Sequence, residues 1–400
     1  MSNKPAIMGN RPVFEDIVQI VQPWLPDLAN LTPGLQSIFK NRIVTKGQYL
    51  NAFEEAVAAH LRVRHAIAVS SCTTGLMLTY RGLGLTGEVV VPSFTFMATV
   101  SALAWAGLRP VFADVQAGTT NLDPVAAEAA ITPATSAIVA VHNFGNPGDI
   151  EALQALAHRH GLKLIFDAAH GFGALYQGVP VGPQGDAQIF SLSPTKLLIT
   201  GEGGIVATDN DDLAERVRIG REYGNSGNYD SAFPGFNARM PEFNALLGLQ
   251  SLRLLEDAAR RRNQVVDLYH EQLGRLPGIA FQKVRLGNRS SYKDFSIRME
   301  PNAFGLTRDE LALALAAENV DTRKYYDPPV HRQTAYRRFD AGRPLPCTEW
   351  LSSHSLTLPL WSNMPDEVAL GICRAMRRIQ EHSKAVREAL STTQSAYQLP

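Results

Sequence analysis

From residue 65 to residue 209, short runs of consecutive apolar residues alternate with longer Ala- and Leu-rich stretches. The runs fall at 65–70, 88–93, 109–115, 136–142, 163–169, 187–193 and 204–209. Apolar residues at successive positions, not alternate ones, predict strands covered on both faces. The stretches between them, such as 98–106, Pro124–Ala130 and Ile150–His160, predict helices. This alternation predicts an α/β fold, a mostly parallel seven-stranded sheet with helices on both faces. The last two runs have little helix between them, so one strand there is expected to run antiparallel.

Beyond residue 241 the pattern changes. Glu242–Leu273 carries Leu246, Leu249, Leu252 and Leu255 at helical spacing, with an Arg-rich centre at Arg260-Arg261-Arg262. It predicts one long helix leading out of the sheet. The remainder mixes a strand at 293–298 with helices at 308–318 and 366–382, which predicts a smaller C-terminal α+β domain. The expected division is 1–250, the large domain with the N-terminal segment, and 251–400, the small one.

A chain of 400 residues is long enough for this division. Lys+Arg and Asp+Glu both number 38, so a general affinity for nucleic acid is disfavoured, although a local basic pocket for a small anion is not. Cys72, Cys347 and Cys373 lie far apart without metal-ligand spacing, and so low a count fits a reducing cytoplasm. Residues 1–12 carry no apolar signal core, and no apolar run is long enough to span a bilayer. The polar stretch 391–400 is expected to fray.

In a parallel α/β sheet, ligands bind outside the carboxyl ends of the strands. Ser70-Ser71-Cys72-Thr73-Thr74-Gly75 follows the first predicted strand and opens a helical run, where hydroxyls and a helix N-terminus suit a phosphate. Pro92-Ser93-Phe94-Thr95-Phe96 follows the second and offers an aromatic face. Asp167 ends the strand 163–167 and Ser191 lies near the end of the next. Lys196 sits in a turn just before the Gly-rich run Gly201-Glu202-Gly203-Gly204. Singly, each residue has a plainer reading: a helix cap for Asp167, Thr73 or Thr74, core for Phe96, a loop histidine for His170 and a solvated charge for Lys196. Their conjunction in chain order points to pyridoxal phosphate, which needs an amine for a Schiff base and a carboxylate for its pyridine nitrogen.

These motifs resemble the DegT/DnrJ/StrS aminotransferases, the sugar-aminotransferase branch of fold-type I pyridoxal-phosphate enzymes. The resemblance runs from about residue 35 to 380 and includes Ser191-Leu192-Ser193-Pro194-Thr195-Lys196, Asp167-Ala168-Ala169-His170 and Gly235-Phe236-Asn237-Ala238-Arg239-Met240. It implies that Lys196 is the Schiff-base lysine, Asp167 the partner of the pyridine nitrogen and Phe96 the stacking aromatic. Thr73, Thr74 and Ser191 match phosphate-binding positions, and Asn237 one that reaches the phosphate across a homodimer interface. His170 stands near the ring hydroxyl, where many members carry Gln. Cys72 replaces a frequent Gly or Ala, and Ala238 a frequent aromatic. His331 and Arg239 are substrate candidates, and Arg221, Lys324 and Arg332 join Arg239 as cations for a diphosphate.

The resemblance further implies transfer of an amino group from L-glutamate, through pyridoxamine 5'-phosphate, to a nucleotide-linked keto-sugar. The favoured acceptor is a dTDP-4-keto-6-deoxyhexose aminated at C4, with a 3-keto-sugar or a non-catalytic sensor of the same fold as alternatives. Dehydratase relatives replace the lysine with histidine, and Lys196 argues against that activity. The first predicted strand lacks a following Gly-x-Gly-x-x-Gly, which argues against a dinucleotide binder.

Overall fold

The computed structural model describes residues 4–396. Its strands are β1 (His65–Val69), β2 (Glu88–Pro92), β3 (Arg109–Ala113), β4 (Thr135–Val141), β5 (Lys163–Asp167), a small hairpin of β6 (Leu175–Tyr176) and β7 (Val179–Pro180), β8 (Ala187–Ser191), β9 (Gly204–Thr208), β10 (Ile279–Phe281), β11 (Phe295–Met299) and β12 (Ser355–Leu358). The main sheet has seven strands in the order β1-β9-β8-β5-β4-β2-β3. Pairing is parallel from β3 through β2, β4 and β5 to β8, whereas β9 runs antiparallel to both β8 and β1. The 192–203 connection contains no crossover helix, so β9 returns directly beside β8, as a short connection requires.

Neighbouring strand residues face opposite layers, and both layers are apolar. Ala66 and Ala68 join one core with helices Gln48–Leu61 and Ile150–His160, while Ile67 and Val69 join another with Cys72–Gly82 and Asp211–Gly220. Burial on both sides removes the alternation that a half-exposed strand would show. Each strand of the main sheet stops one or two residues before its expected end. There the chain turns away, and the freed amides bond elsewhere, as Ser70 N does to Ala238 O at 2.8 Å.

Helix Glu242–Leu273 places Leu255 and Ala259 in the sheet core and Val265, Val266, Tyr269 and Leu273 in a further core. The division expected at 250/251 therefore falls inside one continuous helix. The Glu242 carboxylate is buried and accepts from the backbone N–H groups of Gly47 (3.0 Å), Tyr49 (2.9 Å) and Leu50 (2.9 Å). It thereby satisfies the start of Gln48–Leu61, for which Gly47 supplies no side-chain cap.

The further core packs on the antiparallel sheet β10-β11-β12 and on helices Arg308–Ala317 and Asp366–Glu381. The N-terminal segment, expected with the large domain, joins this core instead. Val18 bridges Val320, Phe14 lies against Gly371, and Glu318 accepts from Ala6 N and Val13 N at 2.9 Å each. Much of the stretch expected to fray is helical, since Ser383–Ala396 forms a helix; residues 397–400 lie outside the described residues. Among the described residues no helix is long and apolar enough to cross a membrane.

Candidate active site

The carboxyl ends of β1, β2, β5 and β8 converge on a pocket of about 390 Å³. Thr73, Phe96, Asp167, His170, Ser191 and Lys196, all expected site residues, line it. The volume lies within the range of small-molecule and cofactor sites.

Lys196 sits on the loop between β8 and β9, which is held at several points. Leu192 N donates to Gly203 O at 3.0 Å and Thr200 N to Leu192 O at 2.9 Å. The long helix adds Ser251 Oγ, which accepts from Ile199 N, and Asn244 Nδ2, which donates to Glu202 O. The glycines serve this closure. Gly201 has φ +83°, and a Cβ on Gly204 would lie 2.6 Å from the Cys72 backbone nitrogen. Burial pushes the Lys196 amine down to about 7, assisted by the Lys293 charge and opposed by Asp294, Cys72 and Asp167.

Asp167 ends β5 and is 4% exposed. Thr99 donates to its Oδ2 at 2.7 Å, the Ala169 backbone N–H to its Oδ1 at 3.0 Å, and the Cys72 thiol approaches Oδ1 at 3.9 Å. Burial raises this carboxyl above its ordinary range, against the Thr99 and Ala169 hydrogen bonds and the Lys196 charge. A cation in direct contact would reverse that shift. His170 Nδ1 is buried without a hydrogen-bond partner among the described residues. Burial, then the charges of Lys196 and Lys293, hold this imidazole well below its ordinary value, so it is neutral. Phe96 precedes helix Met97–Trp105 and keeps half its surface open.

At the start of Cys72–Gly82, Ser71 is the N-cap and forms a capping box with Thr74. Thr73 lines the pocket, whereas Thr74 does not. The Thr74 hydroxyl accepts from Ser71 N at 3.1 Å and donates to Ser71 O at 2.9 Å, so the plainer reading as a cap describes this side chain. The N-terminus of that helix still faces the pocket with Thr73, an arrangement that favours an anion.

Residues 29–377 match the DegT/DnrJ/EryC1/StrS aminotransferase family. The chain belongs to this family. A transaminase of Escherichia coli named for dTDP-4-amino-4,6-dideoxy-D-glucose is 32% identical over 365 residues, 90% of this chain and 98% of that one. The spore coat polysaccharide biosynthesis protein SpsC of Bacillus subtilis is 34% identical over 84% of this chain and 90% of its own length. The crystal structure of DesI with its TDP-sugar product superposes with a TM-score of 0.90 at 36% identity, covering 98% of this chain and 99% of DesI. DesV of S. venezuelae, crystallised with a ketimine intermediate, gives 0.84 at 33% identity over 92% of this chain and 99% of DesV. The mostly parallel α/β architecture is thus that of the sugar aminotransferases.

Other expected residues of this aminotransferase stand outside the pocket lining. Asn237 is exposed and bridges Glu222 through the backbone. Arg239 pairs with Glu222 at 3.0 Å and lies over the Tyr223 ring. His331 is 2% exposed, with Nδ1 2.6 Å from Ser93 Oγ and Nε2 2.9 Å from Glu349. It ties the 328–333 segment to the end of β2. The cations proposed for a diphosphate are also paired: Arg221 with Glu54, Lys324 with Asp309 at 2.6 Å and Arg332 with Glu349 at 2.8 Å. Sequence reasoning missed Thr99, Lys293 and Asp294, which line the pocket together with Tyr325 and Tyr326. Thr99 lies one helical turn beyond Phe96, a spacing that could have revealed it. Lys293 and Asp294 come from the C-terminal part of the chain and carried no local signal.

Proposed function

We propose that this aminotransferase holds pyridoxal 5'-phosphate in the pocket around Lys196. It would then move the amino group of L-glutamate to a nucleotide-linked keto-sugar, a dTDP-4-keto-6-deoxyhexose aminated at C4. The observation that carries this reading is the convergence of a depressed amine, a buried carboxylate and an unpartnered imidazole nitrogen in one pocket. The E. coli relative, named for a 4-amino sugar, favours C4 over C3, and the TDP-sugar product of DesI favours a thymidine diphosphate carrier.

The residues present fit the cofactor. Lys196 offers the amine, Asp167 the anion for a protonated ring nitrogen, His170 Nδ1 a partner for the ring hydroxyl and Phe96 a face. Thr73, Ser191 and the Cys72–Gly82 N-terminus suit its phosphate, with Thr74 fixing the turn that aims them. When bound, pyridoxal phosphate supplies a ring that spreads negative charge from the substrate carbon. Asp167 sustains that capacity by keeping the ring nitrogen charged. Lys196 Nζ, with a value near neutrality, takes a proton from the donor α-carbon and returns one to the acceptor carbon. Asn237 of a second copy completes the phosphate site in a homodimer. The free thiols of Cys72, Cys347 and Cys373 support the cytoplasm as its compartment.

A panel of nucleotide keto-sugars with L-glutamate, read by product mass and NMR, tests this function. An amine at C4 of the dTDP-linked 6-deoxyhexose is expected, with 2-oxoglutarate formed in equal amount. No aminated sugar from any member of the panel would reject the function, and amination at C3 would reject the regiochemistry.

A further inference from the structure

The pocket has a second charged pair that the cofactor assignments leave unused. Residues 290–294 lead into β11, with Lys293 and Asp294 on the pocket wall, and are fixed on both sides. Ser291 Oγ donates to His170 O at 2.7 Å, and Lys293 N donates to Phe144 O at 3.0 Å. Arg262, buried in the long helix, donates from Nη1 to the carbonyls of Tyr292 and Lys293 at 2.9 Å each. The side chains of Lys293 and Asp294 are 8% and 7% exposed, line the pocket and meet at 2.8 Å through Nζ and Oδ1. Asp294 Oδ2 is buried with no hydrogen-bond partner among the described residues. Lys293 Nζ lies 5.9 Å from the centre of the Tyr325 ring, and Tyr325 and Tyr326 line the same pocket.

A buried acceptor left unfilled costs roughly 1–3 kcal/mol, and native structures keep such atoms mainly where function uses them. Oδ2 calls for a ligand donor, either a hydroxyl or an ammonium. The Lys293 ammonium has N–H donors beyond the one turned to Asp294. The pair is neutral overall, so a dicarboxylate amino donor would meet one cation and an adjacent anion, with little net attraction. A neutral polyol meets no such conflict. Its hydroxyls can donate to Asp294 and accept from Lys293, while its C–H face lies against a tyrosine ring.

We propose that Lys293 and Asp294, beside Tyr325, form the hexose subsite of this pocket and determine specificity by reading the sugar's ring hydroxyls. This rests on the nucleotide-sugar reading above and assigns residues to it.

The test is equilibrium binding by calorimetry to the cofactor-loaded protein, comparing dTDP with dTDP-6-deoxy-D-glucose, which carries neither keto nor amino group. The measured quantity is the gain in affinity that the hexose adds to dTDP. The double variant Lys293→Met/Asp294→Leu removes both charges together and is expected to reduce that gain about tenfold, the scale of one lost charged hydrogen bond. Asp294→Asn keeps the shape and tests the same oxygen should the double variant fail to fold; it too is expected to lose the gain. A full gain in a folded variant overturns the subsite and leaves the proposed function standing. A variant that keeps the gain and loses affinity for L-glutamate gives the pair to the amino donor, which also overturns it. A wild-type protein that binds neither nucleotide ligand overturns this inference and the proposed function together.

Discussion

Thr99 Oγ1 donates a 2.7 Å hydrogen bond to Asp167 Oδ2 while the Ala169 N–H holds Oδ1 at 3.0 Å. The carboxylate at the end of β5 is thus fixed by the first turn of helix Met97–Trp105, which begins just after Phe96. Both hydrogen bonds favour the ionised form against the burial that opposes it. Asp167→Asn removes the charge outright, so with L-glutamate, the proposed donor, the first half-reaction is expected to slow by about 10²-fold or more, the scale of a lost acid–base or electrostatic contribution. Thr99→Val removes one donor and is expected to slow it about tenfold. Stopped-flow absorbance of single turnovers checks both, and equal losses in the two variants would contradict the ordering.

On the proposed function, Lys196→Ala removes both the anchoring amine and the proton carrier. Turnover is expected to fall by at least about 10⁴-fold while the fold persists. Borohydride treatment of the wild type should add the cofactor mass at Lys196 alone, which peptide mass spectrometry reads.

The depressed Lys196 amine gives a pH dependence of defined sign. Its value is about 7, and only the neutral amine is a nucleophile. Capture of pyridoxal phosphate by the cofactor-free chain should therefore fall about tenfold per pH unit below 7 and level off above it. A rate still rising toward pH 10 would show an ordinary lysine. Lys293→Met removes the charge that lowers Lys196 and leaves Asp294, which raises it, so the inflection should move upward.

Glu242 receives three backbone N–H groups at 2.9–3.0 Å. Glu242→Ala leaves the start of Gln48–Leu61 without acceptors and is expected to lower the unfolding free energy by about 3 kcal/mol. Urea denaturation followed by circular dichroism measures it, and a change within about 0.5 kcal/mol would contradict the capping role.

Asn237 is exposed on the single chain and absent from its own pocket lining, so its proposed role in the phosphate site requires a second copy. On the proposed shared site, Asn237→Asp would set a carboxylate against the phosphate and should inactivate. Mixing it with inactive Lys196→Ala is expected to restore activity on subunit exchange, because both lesions then fall in one of the two sites. Proven heterodimers without recovery would reject the shared site.

The sequence alone determined the chain order of the seven main-sheet strands and the residues along their ends. Continuous apolar runs record burial on both faces, and Lys196, Asp167, Phe96 and His170 lie at strand ends or in the turns beyond them, where parallel sheets place their ligand sites. Those signals are local, so they can be read without coordinates. Tertiary structure decided which hydroxyl was spent on a cap, since Thr73 and Thr74 are neighbours in sequence and differ only in which faces the pocket. It also turned His331 into a tie between Ser93 and Glu349. It brought Lys293, Asp294 and Tyr325 to the pocket across more than a hundred residues from Asp167. A long-range contact leaves no periodicity in the chain, because it is fixed by how the helix Glu242–Leu273 carries one core against the other.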